Sequence, residues 1–150
     1  DKETGEVRLL KVIAAHDVGR AINPHIIEGQ MHGSCSMGQG YALTEGYPTE
    51  NGYPVKTLYR QLGLPRVEDT PDYEIILIED PEPQGPFGAK GISEVATVPV
   101  TPAILNAVSR AIGVRINKVP ASPEVVLEAI RTGKCDVPTM EQQIKELEKR

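Results

Sequence analysis

The alternation of apolar and polar positions along the chain predicts two strands separated by a long helix. Residues 6–14 are rich in valine, leucine and isoleucine and follow the turn-like segment 1–5, so we expect a strand there. Residues 72–79 predict a second strand, whose continuous apolar run indicates burial on both faces. Between the strands, Asn23 followed by Pro24 is a typical helix start, with asparagine as the N-cap and proline in the first turn. The helix is predicted to end near Glu45.

This helix is unusually rich in glycine, which should weaken it by roughly 1 kcal/mol per glycine relative to alanine. Three of these glycines and one serine fall within a narrow stripe of the helix surface. Close contact of the backbone with a neighbour can compensate for such a loss. That neighbour can be another helix or a bound ligand, and the sequence leaves both explanations open. The glycines are Gly29, Gly33, Gly38, Gly40 and Gly46, and the serine of the stripe is Ser36.

The remaining segments are two loops and up to three helices. Residues 46–71 predict a loop with a short extended piece near 53–59, and three prolines and three glycines exclude regular structure in residues 80–91. One helix should begin at Thr101-Pro102 and end at Gly113, and another should begin at Ser122-Pro123 and end at Gly133. A charged last helix is expected over 138–150. The predicted fold class is α+β, with mixed strands, a glycine-rich helix and two to three C-terminal helices, in a single domain over 1–150.

Composition narrows the class of protein. The 150 residues suit one globular domain, and a net charge of −5 without a basic cluster argues against nucleic acid or an anionic membrane surface as a partner. We expect no apolar run of the roughly 20 residues that span a bilayer. Two cysteines without CxxC spacing indicate a reducing compartment, so a cytoplasmic location is expected.

Two groups of residues could carry chemistry. In residues 88–94, two glycines flank a lysine and lead to Glu94. Such a loop lets a ligand approach the backbone closely. An apolar environment would raise the pKa of the Glu94 carboxylate, which could then act as a general base. On residue type alone, a glutamate such as Glu94 is more often a helix-capping or solvated carboxylate than a catalytic one. The second group is His25, Glu28 and His32, whose spacing on one helical face is compatible with a zinc site.

Three sequence blocks resemble the large subunit of the xanthine dehydrogenase/aldehyde oxidase molybdenum hydroxylases. Residues 16–24 (HDVGRAINP) are similar to that family's D-x-G-x-x-[IL]-N-P segment, and residues 28–45 to its EGQ…G-x-G-x-A-L-x-E helix. Residues 88–94 (GAKGISE), continuing into 102–107, resemble GAKGxGE…P-A-I-x-N-A. The blocks follow the family's order and similar spacing across residues 12 to about 130. Met37 and Ser93 depart from it, since many members have glutamine and glycine there.

The resemblance implies roles for individual residues. Glu94 matches the family's active-site glutamate, the general base at the molybdenum centre. Gln30 matches a glutamine that hydrogen-bonds molybdopterin. The residues of the loop that would shape this site and contact the cofactor are Gly88, Lys90, Gly91 and Ser93.

The resemblance also implies what lies beyond this chain. The chain would be a C-terminal segment of the molybdopterin-binding domain, from a truncated or split subunit and inactive in isolation. Molybdopterin, in a dinucleotide form, would be its cofactor, with FAD and 2Fe–2S clusters on other domains or subunits. The implied substrate is a purine, another N-heterocycle or an aldehyde. A non-catalytic interaction or assembly module is the alternative.

Overall fold

A computed structural model describes residues 1–135, so the helix predicted over 138–150 lies outside the described residues. The part described contains four strands and three α-helices, and short 3-10 turns interrupt the loops between them. In chain order the elements are β1 (Lys11–Asp17), α1 (Pro24–Leu43), β2 (Thr49–Glu50), β3 (Tyr53–Pro54), β4 (Asp72–Ile78), α2 (Val100–Ile112) and α3 (Pro123–Thr132).

The central unit consists of strands β1 and β4, which pair in parallel and are connected through helix α1. Their register runs from Lys11 opposite Asp72 to Asp17 opposite Ile78. The predicted α+β class is confirmed, but the first strand begins and ends later than the predicted 6–14. The reason is that β4 offers main-chain partners only to residues 11–17. Strand limits therefore depend on the partner strand as well as on the local sequence.

Strand β4 is covered on one face only within the described residues, so the predicted burial of both faces is wrong there. Tyr73, Ile75 and Leu77 pack against the hydrophobic core. Ile76 and Ile78 point to the opposite face and are 41% and 48% exposed. The helices cover one side of the two-stranded sheet, which leaves alternate side chains uncovered.

Helix α1 begins as predicted and forms the centre of the core. The Asn23 side chain accepts a hydrogen bond from the Ile26 amide at 3.2 Å, which caps the first turn. Met31 and Cys35 are fully buried. Helix α2 crosses α1 at Gly38, where an added Cβ would lie 2.6 Å from Cβ of Val100. Helix packing therefore explains the glycine at position 38.

Helices α2 and α3 end at the predicted residues. Gly113 and Gly133 adopt left-handed conformations, with φ of 76° and 70°, which glycine accommodates without strain. Along α2, three buried residues at four-residue spacing form the face that packs against the core: Val100, Ile104 and Val108.

One stretch, Glu94–Ile112, is apolar and long enough by composition to cross a membrane, which the sequence had led us not to expect. Its regular part is α2, with 13 residues. At 1.5 Å per residue this helix is about 20 Å long, short of the roughly 30 Å hydrocarbon core of a bilayer. Because α2 also buries one face against α1, we interpret the stretch as a core element of this fold.

Candidate functional site

Two of the sequence blocks are joined by main-chain hydrogen bonds. The amide of Arg20 donates to the carbonyl of Gly88 at 2.8 Å, and the amide of Lys90 donates to the carbonyl of Val18 at 3.0 Å. Gly19 lies between these bonds with φ of 62°, and a Cβ there would be 2.4 Å from the Gly88 oxygen. Only glycine permits this approach. The loop that leads to Glu94 is thus attached to the segment that follows β1.

A charged pair reinforces this attachment. Nζ of Lys90 lies 2.5 Å from Oδ2 of Asp17, the last residue of β1, and 3.7 Å from Oδ2 of Asp80. The other Asp17 oxygen accepts a hydrogen bond from the Gly19 amide at 2.9 Å. The Lys90 hydrogen bond, followed by that of Gly19, lowers the pKa of Asp17, and the bond to Asp17 raises the pKa of Lys90. The Asp17 carboxylate and the Lys90 ammonium group are therefore both charged near neutral pH. The contact of Lys90 with a cofactor, which the resemblance implies, stays a prediction.

The residue before Glu94 is fixed to helix α1 at two points. The buried hydroxyl of Ser34 donates to the carbonyl of Ser93 at 2.8 Å. The hydroxyl of Ser93 donates to Oε1 of Gln30 at 3.0 Å. Glu94 then begins a 3-10 turn, in which Ala96 is fully buried while Glu94 itself is exposed. Gln30 and Ser93 are in direct contact, and Glu94 follows Ser93 in the chain.

Asp17 and Ser34 contribute to this arrangement, although the sequence had given neither of them a role. Asp17 belongs to the first resemblance block, but its partner Lys90 is 73 positions away and cannot be inferred from local spacing. The spacing of four residues between Gln30 and Ser34 could have indicated that both side chains lie on the same face of helix α1. Residues at this spacing are neighbours on the surface of a helix.

The Glu94 groove is a surface depression beside the carboxylate, with mostly apolar walls. Met37 is one of the two residues that depart from the family pattern. Its sulfur accepts a hydrogen bond from the Thr97 hydroxyl at 3.9 Å. Nothing in the sequence analysis had singled out the other apolar and hydroxyl side chains. The groove is lined by Met37, Tyr41, Glu45, Glu94, Thr97, Val98, Thr101, Val119 and Pro120.

A second open surface lies along the first half of α1. A Cβ built on Gly29, Gly33 or Gly91 meets no heavy atom within 4 Å. Gln30 is exposed between the two helical glycines, and its Nε2 donates no hydrogen bond within residues 1–135. Helix packing therefore does not explain these glycines in the part of the chain described. A backbone free of side chains beside an amide donor suits a ligand that approaches closely.

The zinc alternative is not supported by the structure. His25, Glu28 and His32 are all exposed on α1, and the ring of His32 packs against Tyr73 with centroids 5.5 Å apart. Across residues 1–135, no three histidine, cysteine, aspartate or glutamate side chains are placed to hold a metal ion together. Shared helical spacing puts the three residues on one surface but does not make their side chains converge. The zinc site predicted from these three residues is therefore wrong for residues 1–135.

Comparison with known proteins places these features in a family. Residues 1–71 match the family described as the molybdopterin cofactor-binding domain. The chain is 38% identical over 130 residues to a probable xanthine dehydrogenase component of Bacillus subtilis (strain 168), covering 87% of this chain and 17% of that protein. The chain thus spans about a sixth of the length of this relative.

Solved structures agree with the sequence matches. The aldehyde oxidoreductase of Desulfovibrio gigas superimposes with a TM-score of 0.79 at 32% identity, over 88% of this chain and 14% of that one. Quinoline 2-oxidoreductase of Pseudomonas putida 86 gives a TM-score of 0.77 at 32% identity, over 83% of this chain and 16% of that one. The chain therefore belongs to the xanthine dehydrogenase/aldehyde oxidoreductase family of molybdenum hydroxylases.

Proposed function

We propose that this chain contributes Glu94 as the general base of a molybdenum hydroxylase that acts on a purine, another N-heterocycle or an aldehyde. The observation that supports the proposal is the double attachment of Ser93 to helix α1, because Ser93 contacts Gln30 and Glu94 follows Ser93 directly in the chain. A carboxylate can act as a general base only when it is held within hydrogen-bond reach of the proton it removes. The two hydrogen bonds of Ser93 support this role because they restrain the backbone directly before Glu94.

The surface around Gln30 fits molybdopterin in its chemistry. Pterins carry amide-like edges that both donate and accept hydrogen bonds, and the free Nε2 of Gln30 supplies a donor. Gly29 and Gly33 leave the backbone on either side of Gln30 uncovered. In this proposal Gln30 holds the pterin, and Gly91 and Gly88 give the loop the shape that brings Glu94 to its edge.

When bound, the cofactor would supply the molybdenum centre that takes two electrons from an electron-poor carbon as oxygen from water is added. Glu94 would accept a proton at its carboxylate as the oxygen is transferred. Within residues 1–135, Glu94 is exposed, so the apolar cover that such a base needs must come from substrate or other parts of the protein. The walls of the Glu94 groove, including Val98 and Val119, provide one side of that cover.

The remaining components are also proposals. The two electrons must leave the molybdenum site before the next turnover, which is the role we assign to 2Fe–2S clusters and FAD on other domains or subunits. A dinucleotide form of the pterin and a cytoplasmic location complete the proposal. Because the chain covers about a sixth of a relative's length, we expect residues 1–150 to be inactive by themselves.

Glu94→Gln in the full holoenzyme tests the proposal. Removing a general base should lower kcat by about 10²- to 10⁴-fold, while the molybdenum and pterin contents stay unchanged. The matched control is Glu128→Gln, which removes an exposed carboxylate on helix α3, away from the Glu94 groove, and should keep wild-type kcat. Full activity of the Glu94→Gln enzyme would favour the alternative that the chain is a non-catalytic assembly module.

A further inference from the structure

Lys90 belongs to the first of the two attachments of the Glu94 loop. On one side, residues 88 and 90 are hydrogen-bonded to the segment after β1. On the other side, Ser93 is hydrogen-bonded to α1. Gly91 lies between them in open space, where it places little restraint on the backbone. The geometry of the short connection to Glu94 therefore depends on where its first attachment is held.

We propose that Lys90 is a positioning residue, whose ammonium group anchors the loop on Asp17 and so places Glu94 for proton transfer. This inference rests on the proposed function of Glu94. The Asp17 carboxylate is itself restrained in position. Asp17 is the last residue of β1, and one of its oxygens accepts a hydrogen bond from the Gly19 amide. The loop is thereby tied to the most regular part of the fold.

Loss of the ammonium group should move the loop through charge repulsion. Nζ of Lys90 lies 2.5 Å from a carboxylate oxygen of Asp17 and 3.7 Å from one of Asp80. Without the cation, these two carboxylates would face each other uncompensated, and like charges at short range repel. Asp80 lies in the segment whose Glu82 amide donates to the Gly88 carbonyl at 3.0 Å. Displacement of that segment would therefore be passed to the loop.

A purely stabilising role predicts a different result from a positioning role. The Lys90 and Asp17 side chains are 29% and 37% exposed, and ion pairs with this access to solvent add little to stability. A stabilising role thus predicts nearly unchanged kinetics. A positioning role predicts a lower kcat with unchanged KM, because displacement by even about 1 Å can slow a reaction by up to 10²-fold.

The test compares Lys90→Met, Lys90→Gln and Lys90→Arg in the full holoenzyme. We expect Lys90→Met to lower kcat about 10- to 100-fold, with KM, molybdenum content and thermal midpoint near wild type. Lys90→Arg should keep most of the activity because it keeps the charge. The matched control is Lys11→Met, which removes a lysine that forms a 2.5 Å pair with Glu74 at the other end of the same sheet and should leave kcat unchanged.

Each outcome decides the proposal. Wild-type kcat in Lys90→Met overturns it, and so does loss of molybdenum from both Lys90→Met and Lys90→Arg, which would identify Lys90 as a cofactor ligand. If Lys90→Met does not assemble, Lys90→Gln decides: a lowered kcat with wild-type molybdenum content supports positioning, and a wild-type kcat overturns it. The Glu94→Gln enzyme separates the two proposals. If that enzyme is active, the proposed function fails irrespective of Lys90.

Discussion

The hydroxyl of Ser93 donates a hydrogen bond to Oε1 of Gln30 across 3.0 Å, and this bond determines which end of the Gln30 amide remains free. With the oxygen engaged, Nε2 is left as the outward donor. The residue at position 93 therefore orients the side chain that we assign to molybdopterin. Glycine at this position would have no hydroxyl and could not make this contact.

Ser93→Ala should weaken retention of molybdopterin about two- to tenfold, the range expected for one net hydrogen bond. Cofactor content after graded dilution of the purified full protein provides the measurement. Ser34→Ala is the control, because it removes the other attachment of Ser93 but leaves the Gln30 amide oriented. Equal retention by the Ser93→Ala protein and wild type would show that Ser93 does not orient Gln30.

Two alanine substitutions on α1 should have opposite effects on its local stability. Gly38→Ala places a Cβ 2.6 Å from the stiff side chain of Val100, and overpacking of this kind costs about 1–3 kcal/mol. Gly29→Ala meets no neighbour within 4 Å and should stabilise the helix by up to about 1 kcal/mol. Hydrogen exchange of α1 amides in the cofactor-free full protein measures both effects.

The same comparison separates helix packing from ligand contact as the reason for the first glycines. If molybdopterin approaches the backbone beside Gln30, Gly29→Ala should retain less cofactor although its helix is more stable. A stabilised helix with unchanged cofactor content would contradict that placement.

Gln39 bridges two parts of the fold, and its loss should destabilise them. This buried amide donates to the Asp69 carbonyl at 2.8 Å and accepts from the Tyr73 hydroxyl at 3.2 Å. Burial raises the pKa of Tyr73, which keeps its hydroxyl protonated as a donor. Gln39→Leu leaves both partners unsatisfied and should cost about 1–3 kcal/mol in local stability by hydrogen exchange. Tyr73→Phe should cost less stability in the Gln39→Leu background than in wild type, because Gln39→Leu has already removed the acceptor of the Tyr73 hydroxyl.

The stability provided by Asp17 should depend on pH in a defined direction. Its pKa is lowered in the folded protein, first by Lys90 and then by the Gly19 amide. A lowered pKa means that the contribution is present above the ordinary aspartate pKa and is lost as pH falls through the folded value. Lys90 shows the reverse sign: its pKa is raised, so its contribution is lost only as pH rises through the folded value.

Thermal midpoints of wild type and Asp17→Asn should therefore differ by a small amount near neutral pH, because the pair is partly exposed, and should converge under acidic conditions. Asp72→Asn serves as the control, because Asp72 is an exposed carboxylate 3.8 Å from its lysine partner at the other end of the sheet. A difference between wild type and Asp17→Asn that stays constant into the acidic range would contradict the assignment of Asp17 as a stabilising carboxylate.

Local signals in the sequence determined the helices α1, α2 and α3, the position of strand β4 and the family to which the chain belongs. Asn23-Pro24, Gly113 and Gly133 act through the backbone within a single turn, so their effect is visible without a partner. The three motif blocks were likewise legible as linear patterns, and they included Gln30, Ser93 and Glu94. The helix predicted over 138–150 lies outside the residues that the structure describes.

Only the tertiary structure decided how these pieces meet. The limits of β1 and the pairing of Asp17 with Lys90 depend on residues more than 50 positions away, and the one-sided cover of β4 depends on helix α1. Helical periodicity likewise placed His25, Glu28 and His32 on one surface, but it could not tell whether their side chains converge. Long-range contacts arise from chain topology, and a linear pattern contains no information about which distant segment will supply the partner.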